Sequence, residues 1–157
     1  MQVRLIVVGK TIKKYLIEGE EEYHKRLKHY IRFEEVVIPE LKKAKNLSES
    51  EIKEKEGDLI LNKVKNSDYL VLLDEKGKEY NSVGYSQFLQ KQLNSGVKRV
   101  TFVVGGAYGF SEKVYSRSNQ KIALSKMTFS HQMVRLFITE QIYRAFTILK
   151  NELYHHR

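Results

Sequence analysis

The sequence predicts an α/β fold with a mainly parallel sheet, and three observations carry that expectation. Short apolar runs recur at Val3 to Val8, Tyr69 to Leu73 and Val100 to Val104, each bounded by polar residues or glycine. Segments with the apolar spacing of helices lie between them. Strands that alternate with helices in this way wind into parallel sheets.

Taken in order, Val3 to Val8 ends in Gly9 and reads as a buried strand. A helix follows from about Ile12 to Tyr30. Leu16, Tyr23, Leu27 and Tyr30 share one face, and the acids from Glu18 to Glu22 suit its N-terminal half. Val36 to Ile38 is a second strand, stopped by Pro39. Leu41 to Ser50 is lysine-rich and weakly patterned, a mobile loop whose tip is either an RNA-contacting arm or simply solvated. Ser48 or Ser50 caps a helix that runs to about Lys65. Tyr69 to Leu73 is the third strand, with Asp74-Glu75-Lys76-Gly77-Lys78 as the turn after it. A helix from about Ser82 to Leu93 turns Tyr85, Phe88 and Leu89 inward and closes at Asn94-Ser95-Gly96. Val100 to Val104 is the fourth strand, Ser111 caps a short helix to about Arg117, and Ile122 to Leu124 is the fifth strand.

The last helix starts after the N-cap Ser130 and reaches about Asn151. Val134, Phe137, Ile138, Ile142, Ala145, Ile148 and Leu149 form its apolar face. Arg135, Thr139, Glu140, Arg144 and Lys150 lie opposite, mixed with Leu136, Tyr143 and Phe146. Large apolar residues on that second face point to another contact, such as a dimer interface. Gln141 stands inside the apolar face and is expected to bond backbone across that interface. No repeat, linker or second domain is visible, so residues 1–157 read as one domain.

Composition narrows the function. A chain of 157 residues, 41% hydrophobic with one Pro, has enough apolar side chain for one full core and is neither disordered nor fibrous. The absence of cysteine excludes disulfides, a thiolate nucleophile and cysteine-based zinc sites, and fits a reducing compartment. No apolar run reaches the roughly eighteen residues of a membrane span, and no signal peptide is apparent, so a cytoplasmic location with no membrane partner is expected. The net charge is +9. Residues 121–157 hold six Lys and Arg against two acids, Glu140 and Glu152. That gathering favours RNA or another phosphate-rich partner, the alternative being solubility alone.

Two segments carry the candidate chemistry. Val103-Val104-Gly105-Gly106-Ala107-Tyr108-Gly109 is an apolar strand emptying into a glycine-rich turn. It has neither the Rossmann spacing nor a Walker lysine, so it reads either as a close-approach ligand wall or as a plain turn. Leu124-Ser125-Lys126-Met127-Thr128-Phe129 leads to Ser130, His131 and Gln132 at a helix start. Together the two loops predict a pocket at the carboxyl ends of parallel strands, where open α/β sheets bind ligands. His131 sits in the positive end of a helix dipole, which favours a neutral ring, either as proton acceptor or as a cap. Arg135 lies one helical turn on, on the same side. Tyr154-His155-His156-Arg157 either stacks on a base and holds phosphate or frays. The histidines lack carboxylate partners at metal-ligand spacing, so no metal is expected, and no Ser-His-Asp arrangement can be argued.

Taken together, these residues resemble a known family. The runs Leu72 to Lys78, Gly105 to Gly109, Leu124 to Arg135 and Glu140 to Ala145, with Tyr154-His155, look like the RlmH family of ribosomal large-subunit pseudouridine N3-methyltransferases, in the SPOUT superfamily. The likeness spans essentially the whole chain. Ser130 stands where the family often has Pro, and both suit a helix start. His156 is an extra histidine in the tail, which leaves open whether it or His155 meets substrate.

The resemblance implies a SPOUT-type α/β knot, with the C-terminal segment threading a loop to form a trefoil. It implies a homodimer with a composite active site and S-adenosylmethionine as cofactor. The cofactor contacts would fall on Leu73, Gly105, Leu124, Ser125, Lys126, Met127, Thr128 and Phe129. The implied substrate is a pseudouridine in the helix-69 loop of 23S ribosomal RNA, methylated at N3 on the assembled ribosome. His131, Arg144, Tyr154 and His155 match positions on the RNA side of the site, where Arg135 and Arg144 are expected to hold RNA phosphate. The competing readings are a knotted methyltransferase acting on tRNA and a non-enzymatic ribosome-binding module.

Overall fold

Val3, Leu5, Ile6 and Val7 are completely buried, which places their strand inside the sheet. The computed structural model describes residues 1–156. Among them the order is β1 (Gln2–Val8), α1 (Lys14–Leu27), β2 (Arg32–Ile38), α2 (Glu49–Leu61), β3 (Tyr69–Glu79), α3 (Ser82–Asn94), β4 (Arg99–Val104), α4 (Glu112–Arg117), β5 (Gln120–Ala123) and α5 (His131–Leu149). The five strands pair in the order β2-β1-β4-β3-β5, every pair parallel. This is the α/β architecture that the alternation of elements predicts.

Period-two alternation sorts the core into two layers. Val3, Leu5 and Val7 of β1 and Phe102 of β4 pack with Leu27 of α1, Phe88 and Leu89 of α3, and Ile138 and Ile142 of α5. Ile6, Val8 and Val103 face the other way, with Ile60 of α2 and Val114 of α4. Helices therefore cover both faces, and β4 is buried at every residue. At the amino ends of the strands Arg99 donates to both oxygens of Asp68, at 3.0 and 2.7 Å, and both residues are buried.

Several boundaries differ from expectation for physical reasons. β2 begins at Arg32 rather than Val36 because its backbone pairs with β1 from Gln2 onward, and an edge strand tolerates charged side chains. α2 carries a full capping box at Ser48 and Glu51 and ends at Leu61, not Lys65. α1 is likewise shorter at both ends than predicted. β5 lies one to two residues earlier than Ile122 to Leu124 because its ladder with β3 starts at Gln120.

The largest departure is Asp74 to Lys78, predicted as a turn. The strand continues to Glu79, and its register against β5 slips, so that Leu73 and Lys78 both partner Ile122. Residues 74–77 form an arch between those two pairings. A Cβ on Gly77 would lie 2.6 Å from the backbone nitrogen of Ile122, so only glycine lets the arch close onto β5.

α5 is also packed differently. Arg135 and Thr139 are buried rather than solvent-facing, and Phe146 is buried against Tyr30. The cause is that α5 lies between α1 and α3 on one face of the sheet, so its own chain covers both flanks. Within the chain, Gln141 Oε1 accepts from the Ser82 hydroxyl and its Nε2 donates to Glu140.

Candidate active site

The carboxyl ends of β4 and β5, with the arch inside β3, open into a cleft of about 570 Å³. Leu73 ends one wall, Gly105 and the glycine turn form a second, and the loop before α5 forms the third. Seven of the eight residues predicted to hold a cofactor line it: Leu73, Gly105, Leu124, Ser125, Met127, Thr128 and Phe129. The Lys126 side chain is exposed and lies outside the lining. Ser125 shapes the loop by accepting from the Met127 N–H at 3.0 Å, a local turn that competes with regular structure. Met127 is 74% exposed, an apolar side chain at the mouth of the cleft.

The turn after Leu73, readable from the sequence as a possible further wall, supplies side chains to which residue patterns alone gave no role. Asp74, Glu75 and Lys76 line the cleft. Asp74 accepts from the Tyr115 hydroxyl and, at 2.8 Å, from the Lys76 N–H. Glu75 accepts from Thr128 at 3.0 Å, which ties the arch to the third wall. Burial, and then the bond to Asp74, pushes the Tyr115 phenol up to about 12, so it stays a donor. The available signal was an acidic pair directly after the clearest strand.

The glycine turn works by close approach. A Cβ on Gly106 would meet the Glu56 carboxylate at 2.6 Å, and one on Gly105 would meet the Phe110 ring at 3.0 Å. Gly109 takes the left-handed conformation at φ +83°. The turn is thus backed by side chains and leaves its backbone toward the cleft.

Ser130 caps α5 as predicted, accepting from Met133 at 3.3 Å. His131 sits at the cleft rim and is exposed. Its imidazole is held below the ordinary value, first by partial burial and then by the Arg135 charge, with Glu40 opposing. A neutral ring near pH 7 follows.

Arg135 requires a correction. It is 1% exposed, and its guanidinium donates to the carbonyls of Val8 and Gly9 at 2.6 and 2.8 Å. A side chain spent on backbone inside the protein is not presented to an RNA phosphate.

Arg144, Tyr154 and His155 are brought together at the far end of α5. Arg144 donates to Glu140 from Nε at 3.0 Å and lies over the Tyr154 ring. The Tyr154 hydroxyl donates to Glu140 at 2.9 Å and lies 3.1 Å from that of Tyr23. The tail is therefore docked rather than frayed. His155 touches Arg144, whereas His156 is exposed. Arg157 lies outside the described residues. About 20 Å of helix rise separates His131 from Arg144, so the two groups do not meet within one chain.

No helix of the described residues is long and apolar enough to cross a membrane, and none of their His, Asp and Glu clusters could hold a metal ion.

A ligand-sized cleft at the carboxyl ends of parallel strands is where open α/β enzymes bind their ligands. The chain belongs to the SPOUT methyltransferases: the family described as "Predicted SPOUT methyltransferase" matches residues 1–155. Its relatives bear a more particular name. It is 61% identical over 157 residues to the "Ribosomal RNA large subunit methyltransferase H" of Christiangramia forsetii, covering 100% of both chains. Proteins of the same name from Parabacteroides distasonis and Flavobacterium johnsoniae are 60% and 57% identical, over 99% and 100% of each chain. The likeness to the RlmH family read from the sequence motifs is borne out.

Proposed function

We propose that the protein transfers a methyl group from S-adenosylmethionine to N3 of a pseudouridine in the helix-69 loop of 23S ribosomal RNA, on the assembled ribosome and in the cytoplasm. The observation that carries this reading is the cleft, in which a glycine turn, a strand end and the loop before α5 converge. The relatives named as large-subunit ribosomal RNA methyltransferases support the substrate class.

The residues present fit the cofactor. Leu73, Leu124, Met127 and Phe129 offer apolar surface for an adenosine, and Gly105 and Gly106 admit close backbone approach. Asp74 and Glu75 set negative charge in the wall, complementary to a sulfonium and an ammonium group. Ser125 and Thr128 add hydroxyls, and Lys126 takes part through the course of the loop rather than through its side chain.

S-adenosylmethionine supplies an already activated methyl group, so the protein has to align the acceptor, exclude water and accept the N3 proton. His131, neutral and at the rim, is one candidate acceptor. Arg144, Tyr154 and His155 serve the RNA side, with guanidinium for phosphate and ring for base. Because they lie about 20 Å along α5 from His131, they complete the site of a second copy in a homodimer. The C-terminal segment from β5 through α5 forms the trefoil.

The test is methyl transfer from labelled S-adenosylmethionine to unmodified ribosomes, with free subunits and tRNA alongside. Label on one pseudouridine of the large-subunit RNA in whole ribosomes is the expected result. Label on tRNA, or none despite cofactor binding, would move the substrate elsewhere.

A further inference from the structure

Among the described residues the largest fully buried side chain is a charged one, Arg135. A guanidinium inside a protein carries a large desolvation cost unless its donors are satisfied, and well-packed apolar side chains of similar volume hold such a position at least as well. Packing alone therefore does not account for an arginine here. Its partners do. They are the carbonyls of Val8 and Gly9, at 2.6 and 2.8 Å, and the Thr11 hydroxyl at 3.3 Å. These groups form the carboxyl end of β1, where the strand leaves the sheet through Gly9 at φ +76°. Thr11 in turn donates to Glu20 at 3.1 Å, and Glu20 is itself buried.

The neighbouring residue grips the same segment from outside. Gln132 accepts from the Ile12 N–H at 3.0 Å and donates to the Lys10 carbonyl at 3.2 Å. The first turn of α5 is thus fastened to residues 8–12 from an inner and an outer side. That same turn carries His131 and Val134, both of which line the cleft. β1 lies beside β4, whose end supplies Gly105.

We propose that Arg135 is a positioning residue: its buried fork fixes the start of α5 on the end of β1 and so sets His131 and the loop of residues 124–130 against the glycine turn. The role rests on reading the cleft as the cofactor site. A planar fork with several fixed donors can hold two carbonyls and a hydroxyl at once, whereas an ammonium cannot reproduce that geometry.

The test compares wild type with R135K, which keeps the charge and loses the fork. The imidazole resonances of His131 are followed by NMR in the protein alone, and cofactor affinity by calorimetry. The expected result is a displaced or broadened His131 signal and affinity lowered about tenfold, the equivalent of roughly one hydrogen bond. In turnover, kcat falls about a hundredfold with KM for ribosomes unchanged, as a misplaced reacting group requires. A raised KM for ribosomes with unchanged kcat would instead make Arg135 a phosphate contact and overturn the proposal. If R135K does not fold, Q132A cuts only the outer bonds and should shift His131 in the same direction, less far. Wild-type His131 signals in the folded variant would overturn the proposal. Should wild type bind no cofactor, the reading of the cleft fails, and the His131 resonances still decide the role of Arg135.

Discussion

The guanidinium of Arg144 lies 3.1 Å from Nδ1 of His155. Arginine has donors and no acceptor, so Nδ1 must accept, and the neutral ring carries its proton on Nε2. The contact therefore selects one tautomer and turns the other nitrogen away from Arg144. Among the described residues nothing comparable fixes His156, which is exposed.

This asymmetry predicts which tail histidine matters. His155→Ala should lower kcat/KM for ribosomes at least about tenfold, the low end for a placed hydrogen-bonding group near chemistry. His156→Ala should stay within about twofold, as surface substitutions do. Steady-state kinetics on unmodified ribosomes decides, and a larger loss in His156→Ala would sink the assignment.

Tyr154→Phe isolates the docking of the tail. It removes the donor to Glu140 and the contact with the Tyr23 hydroxyl, but keeps the ring on Tyr143 and under Arg144. Stability should fall by about 1 kcal/mol, the net worth of one such bond. Cofactor affinity should not change, because the tail serves the RNA side of the site rather than the cofactor side. Urea unfolding and calorimetry on one preparation test both halves, and weakened cofactor binding would contradict the separation.

Gly77 predicts a cost at the arch. A methyl group there would stand 2.6 Å from the backbone of β5, and backbone cannot swing aside as a flexible side chain can. Gly77→Ala should destabilise by about 2–3 kcal/mol, in the upper range for one substitution. It should also weaken the cofactor, since the arch bears Asp74 and Glu75 in the cleft wall. Unchanged unfolding midpoints would mean that the arch relaxes freely.

Asp68 gives the converse case, stability without function. Its carboxylate accepts from Arg99, from Thr101 and from the Lys65 N–H at the amino ends of the strands. Asp68→Ala strands a buried guanidinium and should cost about 3–5 kcal/mol. The cleft opens at the opposite ends of the same strands, so the folded protein should bind cofactor as wild type does.

How much of this is legible in the sequence follows from what is local. β4 and the caps Ser111 and Ser130 announce themselves through neighbouring residues, because capping and apolar runs are short-range effects. The cleft is legible as a convergence of two loops at strand ends. Arg135 is not, because a charged residue on a helix reads as solvent-facing until α1 and β1 are folded around it. The same is true of Glu20. The arch at residues 74–77 fails for the opposite reason: its composition is that of a turn, and only the pairing on both sides with Ile122 makes it part of a strand. Tertiary contact overrides local pattern in each case.

Glu35 gives the fold a pH dependence. Burial, and then repulsion from Glu20, lifts its carboxyl from 4.5 to about 7, with Arg135 opposing. In the window between those values the folded protein keeps a proton that the unfolded chain has released. Stability from this group is therefore full below about pH 4.5 and is lost as pH rises through about 7. His24, 3.6 Å away, carries the opposite sign: burial holds its imidazole below 6.5, so its contribution is lost as pH falls through that lowered value. Neither Glu35 Oε2 nor His24 Nε2 has a hydrogen-bond partner among the described residues, so nothing else offsets the charge of an ionised Glu35 on that side. Glu35→Gln mimics the protonated acid at every pH while leaving His24 in place. Relative to wild type it should gain stability from about pH 5 to about pH 7 and level off by about pH 8 in urea unfolding. A difference between the two proteins that stays constant across that range would show that Glu35 does not titrate there.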